Sequence, residues 1–147
     1  MNLKLIVLLV IGIWIGMLIG ISFLEAPLKF RAPNITLPLG LGIGKLVFSA
    51  LNKFEIVFSL LLTFWLIKNY QGFTLFSTIV IVIVLVAVLL QTLWLLPILD
   101  ARADQWIAGV EVAKTNHHFY YVGFELTKLV ALIYCFVKTY QYGGHPG

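Results

Sequence analysis

The sequence predicts an all-α fold, a polytopic transmembrane four-helix bundle, and three observations predict it. Of the 147 residues, 61% are apolar and only 11% are charged, whereas soluble domains carry about 25% charged residues. Apolar stretches near the length that crosses a bilayer, about 20 residues, recur four times along the chain. The remaining classes fall away: one cysteine, Cys135, cannot build a disulfide scaffold, and a chain this apolar is not disordered. At this length the chain reads as a single transmembrane domain.

The first span is expected over residues 5–24, with no charge inside it and Lys4 just before it. It is long for a secretory signal and no small-x-small cleavage site follows, so it reads as a retained helix. Gly12, Gly16 and Gly20 recur at four-residue spacing and share a face. Such a face lets another backbone approach closely. The partner is expected inside the bundle in preference to a second subunit.

The second span is expected over 45–67. The apolar run from Phe54 to Ile67 is too short alone, so the helix should begin earlier, near Gly42 to Leu46. The third, over 73–96, is free of charge. Its Ile/Val-rich centre would suggest a strand in water, but a lone strand in lipid leaves its backbone unpaired, so helix wins. Pro97 should kink or end it. The fourth, over 118–138, contains Glu125 and Lys128, with Thr115 or Asn116 as its N-cap.

The connections differ. Lys68 to Gly72 is a tight hairpin. Glu25 to about Gly44 is a long first loop with Pro27, Pro33, Pro38 and alternating glycines. Pro97 to Asn116 is polar and rich in helix formers, so it should prolong the third helix beyond the bilayer. Four spans put both termini on one side, with Lys4, Lys68 and Lys138. The other side carries Lys29, Arg31, Lys45, Lys53, Arg102, Lys114 and Lys128. The positive-inside rule therefore places the first and third loops in the cytoplasm. The net charge of +4 comes from scattered residues, which excludes a nucleic-acid partner and fits contact with anionic membrane lipids.

All six acidic residues fall on that basic side. Glu25, Glu55 and Glu125 lie at or inside the ends of three different spans, where a charge is costly and normally faces a partner in the bundle interior. On the fourth helix His117, His118, Tyr121, Glu125 and Lys128 fall within an arc of about 100°. That face reads either as a site for a metal ion, a haem or a proton, with His118 and Glu125 as metal ligands, or as a plain i,i+3 ion pair with histidines at headgroup level and a tyrosine in the aromatic belt. Lys45, Ser49, Asn52, Ser59 and Thr63 line one face of the second helix, with Glu55 at its edge. Thr74, Ser77, Thr78, Gln91 and Thr92 share a side of the third. Such hydroxyl and amide stripes usually pack and bond across a bundle.

Several motifs fail. Gly40-Leu-Gly-Ile-Gly-Lys45 lacks the first glycine and the Ser/Thr of a phosphate loop, so its glycines are expected to let the loop turn. Copper would need soft ligands, and Met1, Met17 and Cys135 are not clustered. Adjacent histidines on one helix cannot face one zinc ion. Asn34-Ile-Thr36 is a glycosylation sequon, which the expected topology leaves on the wrong side.

Gly16-x-x-x-Gly20, then Ser22-Phe-Leu-Glu-Ala-Pro27-Leu-Lys-Phe30-Arg-Ala and Lys45-Leu-Val-Phe48, resemble the DUF4149 or TMEM205-like membrane family. His117-His118-Phe-Tyr-Tyr is similar to the histidine-containing stretch before that family's last helix. The resemblance implies four helices, no agreed activity, and a distant likeness to four-helix membrane proteins that bind copper or haem. This chain departs from it by having few methionines and by carrying Glu55 and Glu125.

Three functions follow. The first is a subunit or accessory of a larger membrane assembly, partnered by other membrane subunits or as a homo-oligomer. The second is a membrane oxidoreductase or metal/haem protein using His118 with Glu55 and Glu125. The third is a small proton-linked transporter.

Overall fold

A computed structural model describes residues 3–113 and 115–141. Lys114, counted above with the basic loop residues, and His145 lie outside them. The described residues form four long helices and no strand: α1 (Leu3–Arg31), α2 (Leu37–Asn69), α3 (Leu75–Ile107) and α4 (His117–Gln141). All are long and apolar enough to cross a membrane. They run up and down in a ring, α1 against α2, α2 against α3, α3 against α4, and α4 back against α1. Both ends of the bundle's chain path meet at one face, where the Lys4 ammonium donates to the Tyr140 carbonyl at 2.9 Å.

The core is built from the inward faces of all four helices. Val7, Ile11, Trp14 and Leu18 come from α1, Leu51, Leu62 and Trp65 from α2, Ile81, Val84 and Val88 from α3, and Leu132 and Cys135 from α4. Large apolar residues such as Leu9, Leu46, Leu60, Leu75, Leu93 and Val130 point outward. This inversion is affordable only in lipid, which solvates apolar side chains and leaves no alternative for backbone groups but the helix.

The long first loop is not a loop. α1 continues to Arg31, a short turn follows with Asn34 at φ 63°, and α2 begins at Leu37. Asparagine tolerates that left-handed conformation. The Thr36 hydroxyl accepts the Leu39 N–H at 3.4 Å, closing one of the unpaired amides at the helix start. Gly40 and Gly44, expected to turn a loop, lie inside α2 and are buried. They sit one turn apart and form a trough for the end of α1. A methyl group on Gly40 would overlap the Phe30 ring, and one on Gly44 would lie 2.8 Å from the Lys29 ammonium nitrogen.

The glycines of α1 do the opposite. Gly12 and Gly16 are exposed, and nothing lies within 4 Å of a Cβ built on Gly16 or Gly20. The expectation that this face packs inside the bundle is corrected. Trp14 and Leu18 occupy the inward face instead, and their larger side chains fill the interior by van der Waals packing.

Two prolines shape α1 and α3 alike. Pro97 neither ends α3 nor leaves it unchanged. A π-helical turn over Gln91–Leu95 precedes it, and the N–H of Leu96 reaches back five residues to the Gln91 carbonyl. In α1 a π-helical stretch covers Leu18–Glu25, and the N–H of Ala26, just before Pro27, reaches the Ile21 carbonyl. A proline offers no N–H and crowds the preceding turn; the wider π turn absorbs both defects and keeps the helix continuous. At 1.5 Å per residue the 33 residues of α3 span about 50 Å, beyond the roughly 30 Å of a hydrocarbon core. The excess carries the Lys45–Asp104 pair between α2 and α3 at 2.6 Å.

Candidate functional site: a buried glutamate–lysine–glutamate cluster

The centre of the bundle holds three charges. Glu55 of α2 and Lys128 of α4 are 0% exposed, and Glu125 of α4 is 1% exposed. The Lys128 ammonium donates to Oε1 of Glu55 across the bundle diagonal and to Oε1 of Glu125 one turn away at 2.8 Å. Every other helix adds a neutral donor. The Trp14 indole N–H of α1 donates to Glu55 Oε1 at 3.0 Å. The Gln91 amide of α3 donates to Glu125 Oε1 at 2.7 Å. The Ser22 hydroxyl of α1 donates to Glu125 Oε2 at 2.7 Å. Ser22 and Gln91 are the residues carried by the two π-helical turns. Such turns rotate the following face of a helix and are frequent at functional sites.

Glu125 thus has both oxygens occupied. Glu55 does not: its Oε2 is buried without a hydrogen-bond partner, as are Gln91 Oε1 and the Ser59 hydroxyl. The Tyr121 hydroxyl is buried beside Glu125 and interacts with it electrostatically, but makes no hydrogen bond of full geometry.

A cavity of about 450 Å³ adjoins the cluster. Glu125, Ser22 and Tyr121 line it, and so do Lys29, Lys45, Asp100 and His118. Its walls are otherwise mostly apolar, with Phe23, Phe30, Phe48, Leu96 and Leu99 among them. It reaches from the level of the Lys45–Asp104 pair down to the cluster.

The residues singled out by the sequence divide accordingly. Tyr121, Glu125, Lys128 and Glu55 meet at one place. His118 lines the cavity but is itself exposed. His117 turns away, edge-on to the rings of Trp94 and Tyr120 at 6.3 Å. Glu25 stays near the end of α1, 3.5 Å from Lys29, and joins no cluster. Asn52 bonds the Thr92 hydroxyl at 2.9 Å across to α3, the use expected of such stripes, whereas Thr63 bonds back to its own helix at Ser59. Trp14 and Ser22 were missed. Their signal was weak: an indole needs a partner when buried, and a serine sits five residues before a proline.

The donor set does not fit a metal. Among the described residues no group of three or more His, Cys, Asp and Glu side chains could hold one. The oxygens of Glu125 already accept from an ammonium, an amide and a hydroxyl. Glu125 therefore has no free oxygen with which to share an ion with His118. Compared with family models, curated proteins and solved structures, the chain matches none of them.

Proposed function

We propose that this protein is a small proton-linked membrane carrier whose Glu55–Lys128–Glu125 cluster takes up and releases one proton through the adjoining cavity. The observation that carries this reading is a charge imbalance in a buried place. Two carboxylates share one ammonium, so the fully ionised cluster keeps one negative charge where it costs several kcal/mol. One added proton makes the cluster neutral. Glu55 Oε2 is the carboxylate oxygen that lacks a donor, and Glu125 is the member that lines the cavity. Lys128 touches both, so a change at one carboxylate is felt at the other. The groups facing the cluster from the packed helices are Trp14 and Ser22 of α1, Ser59 of α2, Gln91 of α3 and Tyr121 of α4; His118, Lys29 and Asp100 face the cavity above.

Infrared difference spectroscopy on protein in lipid nanodiscs tests this. Acid-minus-alkaline spectra should contain a protonated-carboxyl band that Glu55→Gln or Glu125→Gln removes or shifts. Proteoliposomes loaded with a pH dye should lose their proton flux in the same variants while the protein stays folded and inserted. A spectrum free of such a band, or flux equal in parent and variants, would sink the proposal. A second reading, a subunit of a larger membrane assembly or a homo-oligomer, draws on the outward glycine face of α1.

A further inference from the structure

The wall of the cavity carries a cation that its surroundings leave under-served. The Lys29 side chain is only 9% exposed, and it donates to the Glu25 carboxylate through a long hydrogen bond of 3.5 Å. The ammonium rests over the faces of Phe30 and Phe48 at 5.6 and 5.3 Å. Ring faces attract a cation but offer no lone pair in the plane of a hydrogen bond. Lysine carries three N–H donors, and a buried ammonium normally has them met. Asp100 and Asp104 do not serve it: both interact with Lys45, Asp104 through both oxygens. The Tyr121 hydroxyl, on the same cavity, is turned to Glu125 and so leaves the ammonium unserved. The missing Cβ of Gly44 leaves the space in which the Lys29 ammonium sits.

We propose that the cavity binds an amphiphile with one anionic head and an apolar chain, the head on Lys29 and the chain against Phe48, Leu96 and Leu99. Unmatched donors call for an acceptor, and a mostly apolar chamber of about 450 Å³ lies within the range of ligand pockets. A fatty carboxylate and an anionic lipid share this chemistry. The site goes beyond the proton-linked reading and does not rest on it, because binding is measured at one pH without a gradient.

The probe is radiolabelled decanoate, added to the protein in phosphatidylcholine nanodiscs, with empty discs as the blank. Decanoate should bind saturably, and decanol and decyltrimethylammonium, of the same chain length, should compete poorly. Lys29→Met should weaken binding at least about tenfold, the loss expected of one charge-assisted contact, and Lys29→Arg should keep most of it. Leu99→Trp, which narrows the apolar part of the chamber and keeps the Lys29 charge, should also weaken it. All three variants are first shown to match the parent in size and far-ultraviolet circular dichroism. Displacement by phosphatidylglycerol in the disc would identify a lipid as the source of the anion, and its failure to displace would identify the free carboxylate. Partition equal to empty discs, equal competition by decyltrimethylammonium, or unchanged affinity in Lys29→Met would each overturn the proposal.

Discussion

Replacing Lys128 with methionine removes the cation that Glu55 and Glu125 share and keeps an unbranched side chain of similar length. Glu55 and Glu125 are then left at 0% and 1% exposure with only neutral donors, Trp14, Gln91 and Ser22. Breaking a buried ion pair from one side costs about 3–5 kcal/mol. An upper bound comes from the escape route. At pH 7 a proton placed on a glutamate of ordinary pKa about 4.3 costs about 3.7 kcal/mol, so no single carboxylate can be destabilising by more than that. The Gln91 and Ser22 bonds ease Glu125, so the variant should lose about 4 kcal/mol, chiefly from Glu55. Sodium dodecyl sulfate titration in mixed micelles, read by tryptophan fluorescence, measures the loss. Because the folded variant must take up a proton, the loss should shrink by about 1.4 kcal/mol for each unit of acidification below neutral. The triple change Glu55→Gln, Glu125→Gln, Lys128→Met should recover most of it. A loss under about 1 kcal/mol in Lys128→Met, or one that ignores pH, would refute the buried-charge account.

Two further outcomes follow from the glycines. Gly40→Ala places a methyl group on the Phe30 ring and should cost about 1–3 kcal/mol by overpacking in the same titration; Phe30→Ala alongside it should relieve the clash. Gly16→Leu should leave the folded stability of the monomer unchanged, since nothing lies within 4 Å of that site. Crosslinking in membranes then reads the second subunit reading: a dimer lost in Gly16→Leu supports it, and an unaltered pattern means the face meets lipid.

The four helices were legible because lipid imposes one rule on any long apolar run. The i,i+3 pairing of Glu125 with Lys128 was also legible, since both lie on α4 at fixed spacing. The third member was not. Glu55 lies 73 residues from Lys128, and periodicity within α2 placed it at the edge of a polar stripe, whereas the structure makes it the centre of the bundle. Gln91 stood in an apolar run and could have been read as a partner for a buried charge, because a lone amide there needs one. The glycine faces were exchanged for a related reason. Spacing shows that Gly12, Gly16 and Gly20 share a side and that Gly40 and Gly44 do too. Only the position of Phe30, folded back by the continued α1, decides which side is crowded. The helix formers after Pro97 made the prolonged α3 legible, whereas Pro27 misled at the end of α1, because the π turn before it keeps alive a helix that proline would otherwise stop.

The diagonal from Glu55 to Lys128 also sets an order of events during synthesis. Seventy-three residues separate the two, and a ribosome adding 5–20 residues per second needs about 4–15 s to cross that distance. Throughout that interval α2 holds an acid whose cation has not yet been made. The Trp14 indole, 41 residues upstream, is already available, so a hairpin of α1 and α2 can shelter Glu55 with a neutral donor while the translocon still surrounds it. The arrival of α4 then does two things at once, closing the ring of helices and delivering the counter-ion. A nascent chain stalled before α4 would carry an unpaired carboxylate in the lipid, a mark by which membrane proteases could tell an unfinished molecule from a finished one.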